Sequence, residues 1–115
     1  PTLTEFTNAQ PGLAMDGRSL VSLLENPLTP WRKDFLVEFW VTADTTMLGV
    51  RTSRYLYTET SNPPLKEDEF YDLSTDPFQL ENLMKKRTKR AHRDVIAHLK
   101  KRLEELKTCA GADCF

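Results

Sequence analysis

Two strand-length runs separated by only two residues constrain this chain more than any other feature. Residues 47–52 and 55–59 are rich in Val, Tyr and Thr, which suit a pleated and partly covered surface. Joined tightly through Ser53-Arg54, they predict an antiparallel hairpin with Tyr55 and Tyr57 on its return arm. A second phrase follows: Glu69-Phe70-Tyr71-Asp72-Leu73 reads as another strand, and Asp76-Pro77-Phe78-Gln79 as the start of a helix. In that helix Asp76 is the N-cap, Pro77 the first residue and Gln79 the residue that caps in return.

Punctuation and periodicity organise the rest. Residues 2–7 read as the last turns of a helix, and Asn8-Ala9-Gln10-Pro11-Gly12 as a loop. Asp16 is placed to cap a helix over residues 19–25, whose Leu20, Val21, Leu23 and Leu24 give an apolar side, and Asn26-Pro27 ends it. Residues 35–41 alternate, with Phe35, Val37, Phe39 and Val41 on one face and Leu36, Glu38 and Trp40 on the other. That pattern predicts a strand buried on one face and partly on the second. Residues 61–68 form a polar loop whose Pro63-Pro64 cannot join a central strand. Beyond a basic connector, Val95, Ile96, Leu99, Leu103 and Leu106 recur at helical spacing.

The predicted fold class is α+β: a small four-stranded antiparallel sheet packed against a long C-terminal helix, preceded by a short helical segment. At 115 residues the chain is one domain or a piece of one, and the expected division falls between residues 1–30 and 31–115. No apolar run approaches the ~20 residues that span a bilayer, so no membrane partner is expected. The chain opens at Pro1 rather than Met, which fits a trimmed or processed product.

A formal net charge of −1 hides an asymmetry. Residues 1–84 carry 6 basic against 13 acidic groups, and residues 85–107 carry 10 against 3. The basic residues fall on the outer side of an amphipathic pattern, so the expected role is a solvated helix face paired with the acidic body. The alternative is an autonomous polyanion-binding module over residues 85–107 whose binding would weaken with salt. That run has little aromatic interleaving for base stacking, which disfavours nucleic acid.

Cys109 and Cys114 are the whole thiol inventory and bracket Ala110-Gly111-Ala112-Asp113. Four residues including a glycine let the Cα atoms come within the ~4.4–6.8 Å of a disulfide, which is the expectation and implies an oxidising compartment. A reduced pair or half of a metal site are the alternatives. Zinc normally takes four ligands, and His92 and His98, six residues apart, point to different helix faces, so no metal site is expected. The contiguous acids Glu67-Asp68-Glu69 read as a solvated turn. Nucleophile elbow, phosphate loop, zincin and EF-hand signatures are all missing.

The two phrases, Val50-Arg51-Thr52-Ser53-Arg54-Tyr55-Leu56-Tyr57 and Glu69 to Leu83, together resemble the C-terminal region of the sulfatases. Pro1-Thr2-Leu3 is similar to the start of the last helix of the large sulfatase domain, and Met15-Asp16-Gly17-Arg18-Ser19-Leu20 to the segment that follows it. Trp31-Arg32-Lys33-Asp34-Phe35-Leu36-Val37-Glu38 resembles the entry to the small C-terminal sheet. Cys109-Ala110-Gly111-Ala112-Asp113-Cys114 resembles the C-x-G-x-x-C tail of the glucosamine-6-sulfatase branch. The pieces occur in order from Pro1 to Cys114.

The resemblance implies a parent enzyme that hydrolyses sulfate esters, of sulfated sugars by the tail, in a secreted, periplasmic or lysosomal setting. Such enzymes use a formylglycine made from Cys or Ser in C/S-x-P-x-R, with a calcium ion held by Asp and Asn side chains and Lys and His on the sulfate. The aldehyde hydrate supplies a nucleophilic oxygen while the cation offsets charge on the sulfate oxygens. Neither Cys109 nor Cys114 is followed by the required Pro and Arg, so no catalytic residue transfers to this chain, and its partner is an N-terminal catalytic domain. The implied contribution is structural support and one wall of the substrate cleft from residues 40–46. Glu38, Trp40 and Asp44 are the candidate substrate-binding residues, with packing between domains as the other reading of Glu38 and Trp40.

Overall fold

A computed structural model describes residues 1–13, 15, 17–42, 45–61 and 67–114, which form two units: Pro1–Arg32 with the last residues from Cys109, and Lys33–Thr108. The larger unit is the α+β body. Four antiparallel strands lie in sequence order: β1 (Asp34–Thr42), β2 (Thr45–Thr52), β3 (Tyr55–Thr60) and β4 (Asp68–Asp72). After them come α3 (Lys86–Ala91) and α4 (Arg93–Thr108), numbered after α1 (Thr2–Phe6) and α2 (Val21–Glu25) of the smaller unit.

Register sets which side chains share a face. Val50 pairs with Leu36 on one side and Tyr57 on the other, and Tyr57 pairs with Phe70. Directly opposed residues point the same way, so Leu36, Val50, Tyr57 and Phe70 line one face. Helix α4 covers that face with Ile96, Leu99, Leu103 and Leu106, which occupy the predicted apolar stripe and are buried. Each such side chain contributes about 1.5–3 kcal/mol through burial. Charge fixes the crossing: Arg102 donates through Nε to Asp34 of β1 at 3.0 Å, while Lys100 and Lys107 reach β4 and β3. The basic helix therefore pairs with the acidic body at these three positions, as its amphipathic pattern predicts.

The hairpin turn is held by Thr52, whose Oγ1 accepts from the backbone N–H groups of Arg54 and Tyr55. The outer edge of β4 is covered by a polar clasp. Asn82 accepts from Phe70 N–H and donates to the Asp68 carbonyl, and Leu83 N–H donates to the Phe70 carbonyl. These bonds occupy ladder positions that an unprotected edge would leave open.

Three expectations are corrected. No helix starts at Asp76: its carboxylate accepts from Leu80 and Glu81 N–H, and Gln79 sits at φ +57°, a left-handed conformation that ends the turn. The cap chemistry is present, but it closes a loop. The basic connector is instead α3, which no apolar periodicity announces. Strand β1 is less covered than its alternation predicts, with Phe35 45% and Phe39 57% exposed. It is a sheet edge, paired only with β2, so its side chains lack neighbours on one flank.

In the smaller unit, α2 begins at Val21 rather than Ser19, and its first N–H bonds the Ser19 hydroxyl at 3.2 Å. The expected cap, Asp16, lies outside the described residues. Trp31 stacks under the guanidinium of Arg18 at 4.5 Å. Cys109 and Cys114 form the expected disulfide, with Cα atoms 5.2 Å apart and Gly111 supplying a φ of +58° inside the loop.

Candidate functional site

One end of the sheet gathers the side chains most able to meet a ligand. Ser61 follows β3 and Thr46 is the second residue of β2; Thr46 N–H donates to Ser61 Oγ, and Ser61 N–H returns a bond to the Thr46 carbonyl, both at 2.9 Å. Beside this lock lies a cavity of about 230 Å³ lined by Thr46, Leu48, Glu59, Thr60, Ser61, Asp68 and Lys107. It is smaller than the ~300 Å³ lower end of small-molecule clefts, so it is a niche rather than a complete cleft.

The floor of this region is a charged network. The Tyr57 hydroxyl is shared between Glu59 Oε1 at 2.8 Å and Asp68 Oδ2 at 3.1 Å. Lys100 donates to Asp68 at 3.1 Å and lies 3.9 Å from Glu59, with its ammonium 5.3 Å from the centre of the Tyr57 ring. Lys107 donates to Glu59 at 3.2 Å and to Glu104 at 2.6 Å. Burial, and then the carboxylates Glu59 and Asp68, push the Tyr57 phenol far above its ordinary range, so it stays a neutral donor. Burial pulls the Lys107 ammonium down, but Glu104 and Glu59 outweigh it and hold it above its usual value.

This arrangement can bind and orient, but it activates no nucleophile. Asp68, expected in a solvated turn, is a strand residue and a hub of the network. Tyr57, Glu59, Lys100 and Lys107 carry no local motif, and only the cross-strand register, Glu59 opposite Asp68, brings them together.

The predicted wall residues sit on the neighbouring strand. Glu38 pairs with Leu48 and Trp40 with Thr46, so both share the face of two niche-lining residues, and both are exposed. The register shifts just after Trp40, between Trp40 and Thr42, which makes it the last regular residue before the β1–β2 turn. Asp44 lies outside the described residues.

Among the described residues no three carboxylate, imidazole or thiol groups converge as metal ligands, and both sulfurs are joined to each other. Among the described residues, the donors present therefore do not fit a calcium site or a formylglycine precursor. His92, at the end of α3, packs its ring 5.4 Å from that of Phe70.

Comparison with known proteins adds what local geometry does not. In the solved structures, a protein in complex with its substrate D-glucosamine-2-N,6-O-disulfate matches with a TM-score of 0.71 and 23% identity over 93% of this chain. A Bacteroides thetaiotaomicron protein assigned as a sulfatase matches at 0.66 with 21% identity over 99%, and a 2-O GAG sulfatase at 0.59 with 25% identity over 99%. The chain spans only 23–27% of the length of these structures. No curated protein gives a match. The sequence profile of the N-sulphoglucosamine sulphohydrolase C-terminal family covers residues 1–109, and the four-stranded sheet under its C-terminal helix is the fold the solved neighbours share. This chain belongs to that sulfatase C-terminal family.

Proposed function

We propose that this chain is the C-terminal subdomain of a sulfatase that hydrolyses sulfate esters of sugars, supporting a catalytic domain and forming one wall of its substrate cleft. On this reading residues 1–30 belong to the end of the large domain and residues 31–115 are the subdomain. The observation that carries it is the uncovered apolar surface of the short helices and the segments that follow them: Leu3 is 79% and Leu24 66% exposed, and Phe6, Leu13 and Leu28 are exposed as well. Five-residue helices with that much bare apolar area require a partner surface. The remaining three-quarters of a sulfatase is the proposed partner, and the formylglycine, its calcium ion and the sulfate-holding side chains are assigned to it.

Glu38, Trp40 and Asp44 are the proposed wall residues. An exposed indole offers a flat face to a sugar ring, and carboxylates accept from sugar hydroxyls. A sulfated amino sugar is the proposed substrate class, in keeping with the glucosamine disulfate bound by one structural neighbour and the 2-O GAG sulfatase activity named for another. The disulfide supports an oxidising compartment, whether secreted, periplasmic or lysosomal. No described helix is long and apolar enough to cross a membrane.

The test begins with the mass and peptide map of the native polypeptide. A parent of several hundred residues with a C/S-x-P-x-R peptide is expected, and aryl-sulfate turnover by the isolated chain would overturn the assignment. In the parent enzyme, Trp40→Ala is expected to raise KM for a sulfated glucosamine about tenfold, equivalent to ~1.4 kcal/mol, while leaving a small aryl sulfate unaffected. Equal kinetics on both substrates would remove Trp40 from the cleft.

A further inference from the structure

The basic C-terminal third divides into two populations that sequence alone does not separate. Lys100, Arg102 and Lys107 are spent on sheet carboxylates. Residues 85–93 are different: six of the nine are Lys or Arg, and none is acidic. Among the described residues, Lys85, Arg87, Lys89 and Arg90 make no ion pair, and Arg93 meets only its neighbour Asp94 at 3.8 Å, with both side chains exposed.

Helix α3 holds these cations on a built scaffold. The Thr88 hydroxyl donates to the Leu83 carbonyl at 2.7 Å, and His92, four residues on, is half-buried against Phe70. Those two contacts fix the inward side of the helix, so Arg90 falls on the opposite side, with Arg87 and Lys89 on its flanks. All three are exposed. A row of unpaired cations on a short, anchored helix is an electrostatic footprint for a linear polyanion. The segment has no Phe, Tyr or Trp on which bases could stack, which favours a sulfated glycan over nucleic acid.

We propose that α3 and its flanks are an exosite that holds a sulfated polysaccharide chain away from the reacting sulfate, so that the parent enzyme acts on a polymer and not only on a released sugar. The choice of a sulfated glycan rests on the sulfatase reading, but the charge surface does not. The test uses this chain and a fluorescent heparin oligosaccharide, with binding followed by anisotropy across a salt series. The triple variant Arg87→Ala, Lys89→Ala, Arg90→Ala is compared with Lys33→Ala as an exposed control, with circular dichroism confirming that both remain folded.

Wild type and control are expected to bind alike, with the triple variant at least tenfold weaker and its salt slope reduced by about 2–3, near one unit per cation removed. Absence of heparin binding, or an unchanged triple variant, would overturn the exosite. Equal or tighter binding to single-stranded DNA of the same length would overturn the glycan assignment. In the parent enzyme the triple variant is expected to raise KM for the polymer and leave a sulfated monosaccharide untouched; an equal rise for both would place these residues in the cleft and refute an exosite. Heparin binding in a parent without sulfatase activity would sink the proposed function while leaving the cationic surface in place.

Discussion

Arg54 and Asp72 close the end of the hairpin with a two-pronged ion pair: Nη2 lies 2.8 Å from Oδ2, and Nε donates to both carboxylate oxygens at 3.2 Å. Asp72 is nearly buried and also accepts from the Ser74 hydroxyl at 2.6 Å and from Ser74 N–H. One carboxylate thus joins the β2–β3 turn, the end of β4 and the loop beyond. Asp72→Ala removes these charge-assisted bonds together and is expected to destabilise the fold by about 2–3 kcal/mol, read as a lower urea midpoint at constant m-value.

The same group gives stability an acid edge. Arg54, and then Ser74, hold the Asp72 carboxyl well below the usual carboxylate range. A depressed native pKa stabilises above the unfolded value of ~3.9, and that stability is lost as pH falls toward the native value. Wild type is expected to lose stability below about pH 4, and Asp72→Asn to show a shallower decline there. Parallel pH profiles of the two midpoints would exclude Asp72 as the source.

Gly49 sits opposite Thr58, where the β3 backbone leaves no room for a side chain. A Cβ placed there would lie 2.7 Å from the Tyr57 carbonyl oxygen and 2.8 Å from the Thr58 methyl. Backbone cannot step aside as a flexible side chain does, so Gly49→Ala is expected to cost about 1–3 kcal/mol despite the better strand propensity of alanine. Unchanged thermal stability would mean that β2 and β3 separate freely at this pair.

Opposite it, Thr58 is buried, and its Oγ1 finds no hydrogen-bond partner among the described residues. A buried hydroxyl without a partner carries its desolvation cost uncompensated. Thr58→Val keeps the shape and removes the orphan, so a gain of about 1 kcal/mol is expected in chemical denaturation. A loss instead would reveal a bonded water or partner at that oxygen.

The sheet was legible through residue type and the long helix through period. Val50, Tyr57 and Phe70 stand in β-branched and aromatic runs, and Ile96, Leu99, Leu103 and Leu106 recur with the helix turn. What failed was local chemistry with two solutions. Asp76 offers the same acceptor to a helix N-terminus or to a closed loop, and the left-handed turn at Gln79, which no residue type demands, decides for the loop. Helix α3 was illegible because four of its six residues are charged and the others are Thr88 and Ala91, so no apolar stripe marks it. In the candidate site, Glu38 and Trp40 stood out as residue types, whereas the network of Tyr57, Glu59, Asp68 and Lys100 exists only through register. Coverage of β1 could not be read either, since alternation names two faces without saying which one meets a partner.

Tyr57 offers the sharpest test of that network. Its ring is fully buried, its hydroxyl serves two carboxylates, and Lys100 lies over its face. Tyr57→Phe keeps the packing and deletes only the donor, leaving Glu59 and Asp68 facing each other across the β3–β4 pair. The expected cost is about 1.5–3 kcal/mol, the range for hydrogen bonds to charged groups. Combining it with Lys100→Met is expected to give a non-additive cycle, with a coupling of roughly 0.5–3 kcal/mol, because both changes act on Asp68. The phenol also predicts an alkaline edge. Its native pKa is raised, so the stability it contributes is intact below the unfolded value of ~10 and is lost as pH climbs beyond it, when the unfolded chain ionises and the folded one resists. Tyr57→Phe, weaker at neutral pH, is therefore expected to approach wild type above pH ~10. A gap between the two proteins that stays constant through that range would show that Tyr57 contributes packing alone.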